Sequence, residues 1–491
     1  MTAPIPEARP FDVCGDLPKG MTLLQASAGT GKTFTIAALT TRYVAEAGLP
    51  IDRLLVITFT RMATGELRER VRDRLVRAHD GLADILAGGP SHDDDELVRH
   101  LSGAPRPEVE LRCARLAKAI ADFDAATIET THGFCLQVLY GLGTAGDVDR
   151  EVTLVEDVSD VVEEVVDDLY LRRFADRPNL IDFTRDEAME IAMCVLGRPD
   201  ADIVPPFSGA QDRPGIRRRF AHRVRMEMDR RKRLRKILTY DDILIRLRDT
   251  LEPGPRGAAA RRRLRERYDV VLVDEFQDTD PVQWDIMREA FGQGGATLVL
   301  IGDPKQAIYA FRGADVHAYL NARTAVQSEW TLDVNWRSDA GLLEAFDALF
   351  AGATLGDAGI AYRTISAAPA NQSPRLVGAP VGTPLRVRIV HAGDGLVTLT
   401  AKKREPQSDS ARKVIARDVA AEVVDFLEAR PEVIARSRDG NDLGNRPLDP
   451  GDLAVLVRAN SQAETVRDAL HDVGVPAVIA GAGSVFATRP A

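Results

Sequence analysis

The segment Met21–Thr33, with the sequence MTLLQASAGTGKT, constrains the fold of this chain more than any other. Its first five residues predict a short buried strand, and the segment from about Lys32 to Ala47 is predicted to form a helix. The small residues between them let successive backbone N–H groups turn inward around phosphates at a helix N-terminus. The segment therefore predicts a phosphate-binding loop, although Ala26 stands where the usual pattern has its first glycine.

This loop supplies the candidate nucleotide-binding residues. Lys32 is expected to reach the β- and γ-phosphates and Thr33 to ligate Mg²⁺, while Gly29 and Gly31 give the backbone its freedom to turn. The full set is Ala26, Ser27, Ala28, Gly29, Thr30, Gly31, Lys32 and Thr33.

Strand-like and helix-like segments alternate over the first third of the chain and again beyond residue 268, which is typical of a parallel, helix-covered sheet. The further predictions are strands over 53–59, 125–130, 268–273 and 296–302, helices over 62–76 and 132–142, and an exposed loop with a short helix over 87–107. The predicted fold class is therefore α/β.

Residues 145–238 break this pattern, because they combine helical periodicity with high charge and contain no convincing strand. We interpret them as an all-α insertion. A second α/β unit is expected to begin near residue 331. Its predicted elements are loops over 351–383 and 436–451, helices over 411–429 and 463–473, and strands over 453–457 and 475–480.

The net charge of −10 over 491 residues hides a strong segregation of charge. Ten acids and one base lie between Asp147 and Asp168, whereas twelve bases and two acids lie between Arg213 and Lys236. Local patches rather than net charge govern contact with a polyanion. The basic stretch is therefore either a phosphate-contact surface or only a solvated face.

The sequence also excludes several classes of protein. It has no apolar run of about 18 residues, so no membrane span is predicted, and no secretory signal is visible at its start. The four cysteines are far apart and form no CxxC pair, which indicates neither a disulfide framework nor a zinc site. We therefore expect a cytoplasmic protein.

Two segments after predicted strands carry candidate catalytic groups. In VVLVDEFQDTD, Asp274 can hold Mg²⁺ and Glu275 can polarise an attacking water. In GDPKQAIYAFRGAD, the amide of Gln306 can hydrogen-bond both a γ-phosphate oxygen and a water. The carboxyl ends of parallel strands share one edge of a sheet, where such ligands bind.

Other polar and aromatic residues near strand ends suit contacts with a nucleic acid. The planar groups of Tyr309, Phe311 and Arg312 can stack on unpaired bases, although core packing is the commoner fate of aromatic rings. Hydroxyl groups and a histidine at strand ends suit phosphodiester contacts; these residues are Thr58, Phe59, Thr60, Thr131 and His132. His132 has no ligand-spaced partner, so a structural histidine is the alternative.

Six segments together resemble motifs I, Ia, Ib, II, III and IV of the UvrD/Rep-like superfamily 1 helicases, in the same order, and are most similar to the RecB-like branch of that family. They read ASAGTGKTFTIAAL, TFTRMATGELRERV, TIETTHGFCLQVL, DEFQDTDPVQW, IGDPKQAIYAFRGAD and LDVNWRS. The resemblance implies a RecA-like 1A domain over 1–144 and 239–330, a helical 1B insertion over 145–238, and the start of a RecA-like 2A domain over 331–491.

The resemblance also implies a function: an ATP-dependent DNA helicase or translocase in double-strand-break repair and recombination. It implies ATP and Mg²⁺ as cofactors, single-stranded DNA and a duplex end as ligands, and partner subunits of the RecC and RecD types. Glu275, Gln306 and Arg337 would be catalytic, with Arg337 reaching the γ-phosphate from the second motor domain. Thr58, Phe59, Thr60, Thr131, His132, Tyr309, Phe311 and Arg312 would contact DNA.

The sequence departs from the family pattern in two ways. Lys19 stands nearest the position of a glutamine that reads adenine in many members. Motifs V and VI, the 2B insertion and a nuclease domain have no counterpart after Arg337. The alternative hypothesis is therefore a truncated RecB-like chain that binds ATP and DNA without unwinding, and a third is a structural P-loop protein with no DNA role.

Overall fold

The structure is a computed structural model that describes residues 8–89, 95–143, 151–175, 183–198, 201–206, 212–310, 314–437 and 441–480. The chain divides into two compact units, Met1–Leu332 and Asp333–Ala491.

A seven-stranded sheet forms the centre of the first unit. Its strands are β1 (Arg9–Pro10), β2 (Met21–Ala26), β3 (Leu54–Thr58), β4 (Thr127–Thr130), β7 (Val270–Val273), β8 (Thr297–Gly302) and β9 (Ser328–Leu332), while β5 (Thr153–Leu154) and β6 (Ile237–Leu238) pair separately. The order across the sheet is β1-β9-β2-β8-β7-β3-β4, and every neighbouring pair is parallel. The predicted α/β class with a parallel sheet is confirmed.

Helices cover both faces of this sheet. They are α1 (Lys32–Ala45), α2 (Arg61–Leu86), α3 (Glu96–Ser102), α4 (Arg106–Ala121), α5 (Thr131–Leu142), α9 (Tyr240–Leu251), α10 (Pro255–Arg267), α11 (Pro281–Phe291) and α12 (Val316–Ala325). Helices α6 (Ser159–Phe174), α7 (Arg185–Leu196) and α8 (Arg213–Arg235) belong to the insertion. Helix α2 runs ten residues past its predicted end at Val76, because Ala78 and Leu82 continue its buried stripe.

The strands separate two hydrophobic cores. Successive residues of a strand point to opposite faces, so Leu24 of β2 packs in one core and Leu23 in the other. The same alternation places Val56 and Leu55 of β3 on opposite faces. Strands buried on both sides need nearly continuous apolar runs, which is why these segments were recognisable in the sequence.

The insertion is helical, as its periodicity predicts, except at its base. Helices α6, α7 and α8 share a core of their own that includes Val165, Ala192 and Val224. The two-residue strands β5 and β6 pair where the chain enters and leaves the insertion. The expectation of no strand over 145–238 was therefore wrong at its two ends, where backbone pairing closes the insertion.

The second unit has smaller sheets. Its elements are β10 (Val334–Asn335), α13 (Ala340–Phe350), β11 (Ser366–Ala367), β12 (Leu376–Val377), α14 (Ser408–Ala429), β13 (Glu432–Arg436), β14 (Asp442–Pro447) and α15 (Asn460–Asp472). Strands β10 and β11 are parallel, whereas β12, β13 and β14 form an antiparallel sheet. Helix α14 packs on α15 through Ala420 and Leu470.

Four expectations for the second unit were wrong. The predicted loop over 351–383 contains the short strands β11 and β12, which pair with β10 and β13. The predicted loop over 436–451 contains β14, which pairs with β13 along its length. The predicted strands over 453–457 and 475–480 have no strand structure in their described residues. Leu456 is 96% exposed, so the apolar run of its segment is not buried in a sheet.

Short 3₁₀ turns complete the connections, at Ile51–Arg53, Phe123–Ala125, Phe276–Asp278, Pro304–Gln306, Pro369–Asn371, Ala392–Asp394 and Pro450–Asp452. Within the described ranges, no helix combines the length and the apolar character that crossing a membrane requires.

Candidate functional site

Five of the predicted site segments meet at one edge of the large sheet. The loop after β2, Asp303 after β8, Asp274 after β7, Phe59 after β3 and Thr131 after β4 all follow the carboxyl ends of neighbouring parallel strands. In open parallel sheets, ligands bind in the crevice at this edge. Segments far apart in the sequence therefore form one continuous surface.

The phosphate loop has the geometry that its sequence predicts. Gly29 and Gly31 have φ values of 77° and 90°, in the left-handed region that favours glycine. Thr30 donates its backbone N–H and its hydroxyl to the Ser27 carbonyl, at 3.2 and 2.8 Å. Ala26 belongs to the end of β2 and is fully buried. Its methyl group packs in the core, which explains why this position does not need glycine.

Lys32, the first residue of α1, forms an ion pair with Glu275. Its ammonium lies 2.5 Å from Glu275 Oε2, and the same carboxylate oxygen accepts a hydrogen bond of 2.8 Å from the Gln277 amide. Glu275 has a left-handed backbone, with φ 49°. Such strain in a residue other than glycine is typical of functional sites. The structure thus brings the two predicted phosphate-site charges into contact.

Burial shifts the titration of the carboxyl groups beside this ion pair. It raises the pKa of Asp274 to about 7, and the Glu275 carboxylate adds to the shift. Burial and Glu275 likewise raise the pKa of Asp278 to about 6. Two carboxyl groups held partly protonated next to a third favour a cation among them. Carboxylate and hydroxyl oxygens are ligands that Mg²⁺ prefers, so Asp274 and Thr33 fit a magnesium ion.

Gln277 joins the second motif to the third. Its amide nitrogen donates to Glu275, and its carbonyl oxygen accepts the backbone N–H of Asp303 at 2.9 Å. A Cβ atom at Gly302 would lie 2.6 Å from that carbonyl oxygen, so the close approach requires glycine there. Sequence reasoning missed Gln277, although its place two residues after Glu275 was a usable signal.

Asp303 is almost fully buried and holds the neighbouring residues of the third motif. Its carboxylate accepts hydrogen bonds from the Gln306 amide at 2.8 Å and from the Lys305 backbone N–H at 3.1 Å, and it pairs with the Lys305 ammonium at 2.7 Å. Gln306 was predicted as a site residue, whereas Asp303 and Lys305 were missed. Their only signal was their position beside Gln306 after a strand.

The predicted DNA contacts differ in their exposure. Phe59 and Tyr309 lie side by side, with ring centroids 5.3 Å apart, and both are partly exposed. Thr60 caps α2 by accepting the Ala63 N–H. Thr58 and Thr131 are buried, so their side chains face the interior. Among the described members of this group, Phe59, Thr60, His132 and Tyr309 therefore have partly exposed surface.

His132 packs against Tyr240, a residue that sequence reasoning missed. Their ring centroids lie 5.1 Å apart in an edge-on arrangement, and the Tyr240 hydroxyl accepts a hydrogen bond of 3.3 Å from Arg61. Burial lowers the pKa of His132, which keeps its ring neutral at pH 7. Tyr240 begins α9, more than 100 residues from His132, and only the fold brings them together.

The structure does not test whether three other predicted site residues belong to this edge. Phe311 and Arg312 fall outside the residues that the structure describes. Arg337 belongs to the second unit, where its backbone N–H donates to Asn335 Oδ1 at 2.8 Å and its side chain is exposed.

The basic helix α8 pairs much of its charge with acids of its own subdomain. Arg231 contacts Glu164, Asp168 and Glu227, and Arg235 contacts Glu164. The acidic and basic runs of the sequence therefore neutralise each other in part. This pairing reduces the charge that α8 can offer to phosphates.

A phosphate loop, a following carboxylate pair and a glutamine on adjacent parallel strands define a P-loop nucleotide-binding domain. Residues 13–327 match the UvrD/REP helicase N-terminal domain, and the chain belongs to this helicase family.

Curated proteins similar to this chain include several named RecBCD enzyme subunit RecB. The protein from Mycolicibacterium smegmatis is 42% identical over 483 residues, covering 98% of this chain and 42% of that protein. The protein from Mycobacterium tuberculosis strain CDC 1551 is 41% identical, with the same two coverages. The protein from Escherichia coli K12 is 28% identical, covering 96% of this chain and 49% of that protein. The chain thus spans less than half the length of these relatives.

Proposed function

We propose that this chain is the ATP-driven motor portion of a RecB-type DNA helicase, which couples ATP hydrolysis to movement along single-stranded DNA during double-strand-break repair and recombination. The observation that carries the proposal is the shared sheet edge, where the Lys32–Glu275 pair lies on the same surface as the Phe59–Tyr309 pair. A motor needs its hydrolysis site and its DNA track mechanically connected, and one rigid sheet connects them here.

The nucleotide-site residues have separate roles in this proposal. The loop from Ala26 to Thr33 cradles the phosphates, and Lys32 neutralises their charge. Thr33 and Asp274 hold Mg²⁺, which supplies Lewis-acid stabilisation of the phosphoryl oxygens when bound. Glu275 accepts the proton of the attacking water, and the Gln306 amide contacts the γ-phosphate.

The DNA track combines planar rings with hydroxyl groups. Stacking on Phe59 and Tyr309 holds bases without reading their sequence, because every base has a π face. Thr60 and His132 suit contacts with the sugar–phosphate backbone. Phe311 and Arg312 extend the same group by resemblance. We assign contacts with the duplex end to the insertion over 145–238.

The second unit supplies Arg337, which we assign to the γ-phosphate as one of the catalytic arginines. We assign residues 1–144 and 239–330 to the 1A domain, 145–238 to the 1B domain and 331–491 to the start of the 2A domain. By similarity to RecBCD subunits, we propose RecC- and RecD-like partners and a cytoplasmic location.

Binding and turnover of the purified chain test this proposal. We expect MgATPγS and oligo(dT) each to bind, each tightening the affinity for the other, as reciprocal linkage requires. DNA-stimulated ATP hydrolysis that Lys32→Ala abolishes supports a motor. Binding of both ligands without stimulated hydrolysis supports the alternative of a binding module. A chain that binds neither ligand contradicts both.

A further inference from the structure

A second lysine lies against the phosphate loop. The Lys305 ammonium is 3.2 Å from the hydroxyl of Ser27, a residue at the beginning of the loop, and its side chain is only 13% exposed. Lys32 occupies the other end of the loop, where α1 begins. The loop therefore has an ammonium group near each of its ends, 273 residues apart in the sequence.

A purely structural ion pair explains only part of this arrangement. The Asp303 carboxylate pairs with the Lys305 ammonium at 2.7 Å, but it also accepts the Lys305 backbone N–H and the Gln306 amide. Without the ammonium, Asp303 would still accept hydrogen bonds from the Lys305 backbone N–H and the Gln306 amide. The ammonium has three protons to donate, and one of its neighbours is a loop residue whose backbone belongs to the phosphate cradle.

The balance of charge at the edge also calls for a second cation. Four carboxyl groups lie in this region, namely Asp274, Glu275, Asp278 and Asp303, and hydrogen bonds through Gln277 and the Glu275 backbone link them. The Lys32 ammonium is already bonded to Glu275. A nucleoside triphosphate brings further negative charge, which buried cations must offset.

We propose that Lys305 is a second phosphate-binding cation of the nucleotide site, directed at the terminal phosphate, and that Asp303 positions it together with Gln306. The inference rests on the proposed function, because that function assigns Gln306 to the γ-phosphate and Gln306 is held by the same carboxylate. Lys305 and Gln306, both held by Asp303, then contact the same phosphate. Replacing the ammonium removes a charge-assisted bond to that phosphate.

Isothermal titration with two nucleotides tests this assignment. We expect Lys305→Met to weaken MgATPγS binding roughly tenfold, the usual loss of one charged hydrogen bond, while MgADP binding changes by less than about twofold. Lys305→Arg keeps the positive charge and should retain most of the preference for MgATPγS. Lys118→Met, at an exposed position on α4, is the matched control and should change neither affinity.

The outcomes separate this proposal from the proposed function. Equal losses for MgATPγS and MgADP, in a variant with the wild-type circular dichroism spectrum, would show that Lys305 only supports the loop and would overturn the assignment. Unchanged affinities in Lys305→Met, alongside a large loss in Lys32→Ala, would overturn it as well. If wild-type protein binds neither nucleotide, the proposed function itself fails. If Lys305→Met does not fold, loss of the MgATPγS preference in Lys305→Arg would overturn the assignment, because the charge is retained there.

Discussion

The two halves of the sheet edge use different chemistry. The half after β2, β8 and β7 holds a network of ionised side chains, in which Lys32 and Lys305 pair with Glu275 and Asp303. The half after β3 and β4 offers the partly exposed rings of Phe59 and His132, and burial keeps the histidine neutral. Binding a polyphosphate requires several positive charges close together. A DNA strand that moves along the protein instead requires contacts that do not fix it at one position.

This difference implies that the two ligands are bound by separable sets of residues. The connection between the halves is the short segment from Asp303 to Tyr309, which begins at the charged network and ends at the aromatic pair. Substitutions in one half should therefore affect one ligand strongly, and the other only through this segment.

Lys32→Ala should have the largest effect. Truncating a buried charged group that contacts a ligand costs about 2–5 kcal/mol of binding free energy, and we expect such a loss for MgATPγS. The affinity for oligo(dT) without nucleotide should change by less than about 0.5 kcal/mol, as for independent sites. Titration calorimetry and fluorescence anisotropy measure the two. A comparable loss of DNA affinity would show that the halves are not separate.

Tyr309→Ala should weaken oligo(dT) binding by roughly 1–3 kcal/mol, the usual contribution of one base stacked on an aromatic ring. Tyr309→Phe keeps the ring and serves as the matched control, with close to wild-type affinity. Anisotropy titrations at fixed salt measure both variants. An unchanged dissociation constant for Tyr309→Ala would mean that the ring serves packing against Phe59 instead.

The charged half should make stability depend on pH. The pKa of Asp274 is raised to about 7 in the folded chain, so the folded state binds a proton that the unfolded state releases near pH 4. This contribution to stability is present below pH 4 and is lost as the pH rises through 7. In metal-free buffer, wild type should lose roughly 1–2 kcal/mol relative to Asp274→Asn over that range. Urea unfolding at several pH values measures the difference, and a constant difference would contradict the shift.

The smallest effects are expected on α8, where paired and unpaired charges can be compared. Arg231 lies among three carboxylates, whereas exposed Arg223 has no ion pair with any residue in the described ranges. A plot of the logarithm of the single-strand binding constant against the logarithm of the salt concentration has a slope that reports phosphate contacts. Arg223→Gln should lower the magnitude of this salt slope by about 0.7, the value for one phosphate contact. Arg231→Gln should leave that slope unchanged. The reverse result would mean that the ion pairs of Arg231 open when DNA binds.

Much of the nucleotide half could be predicted from the sequence, because its strands are apolar runs that end in polar side chains. Parallel pairing then places those ends together, as it does for Lys32 and Glu275. The contacts of Lys305 with Ser27 and of Tyr240 with His132 could not be predicted. These contacts depend on which distant segments meet in three dimensions, and a local sequence pattern does not predict such meetings.

Charge and strand patterns proved less reliable away from the sheet. The basic run of α8 suggested a phosphate surface, but the sequence does not show that Glu164 lies beside Arg231 and Arg235. The apolar run around Leu456 suggested a strand, but a strand forms only where a neighbour supplies hydrogen bonds. Both cases depend on a partner segment.

The pairing of β9 with β2 has a mechanical consequence. Ala26 and Leu332 are paired residues at the carboxyl ends of these strands. After Ala26 the chain enters the phosphate loop, and after Leu332 it passes into the second unit. A pull at Asp333 that is directed along β9 loads its hydrogen bonds with β2 in shear, so that several bonds share the force instead of opening one after another. The base of the phosphate loop is thus anchored against a pull directed along the strand.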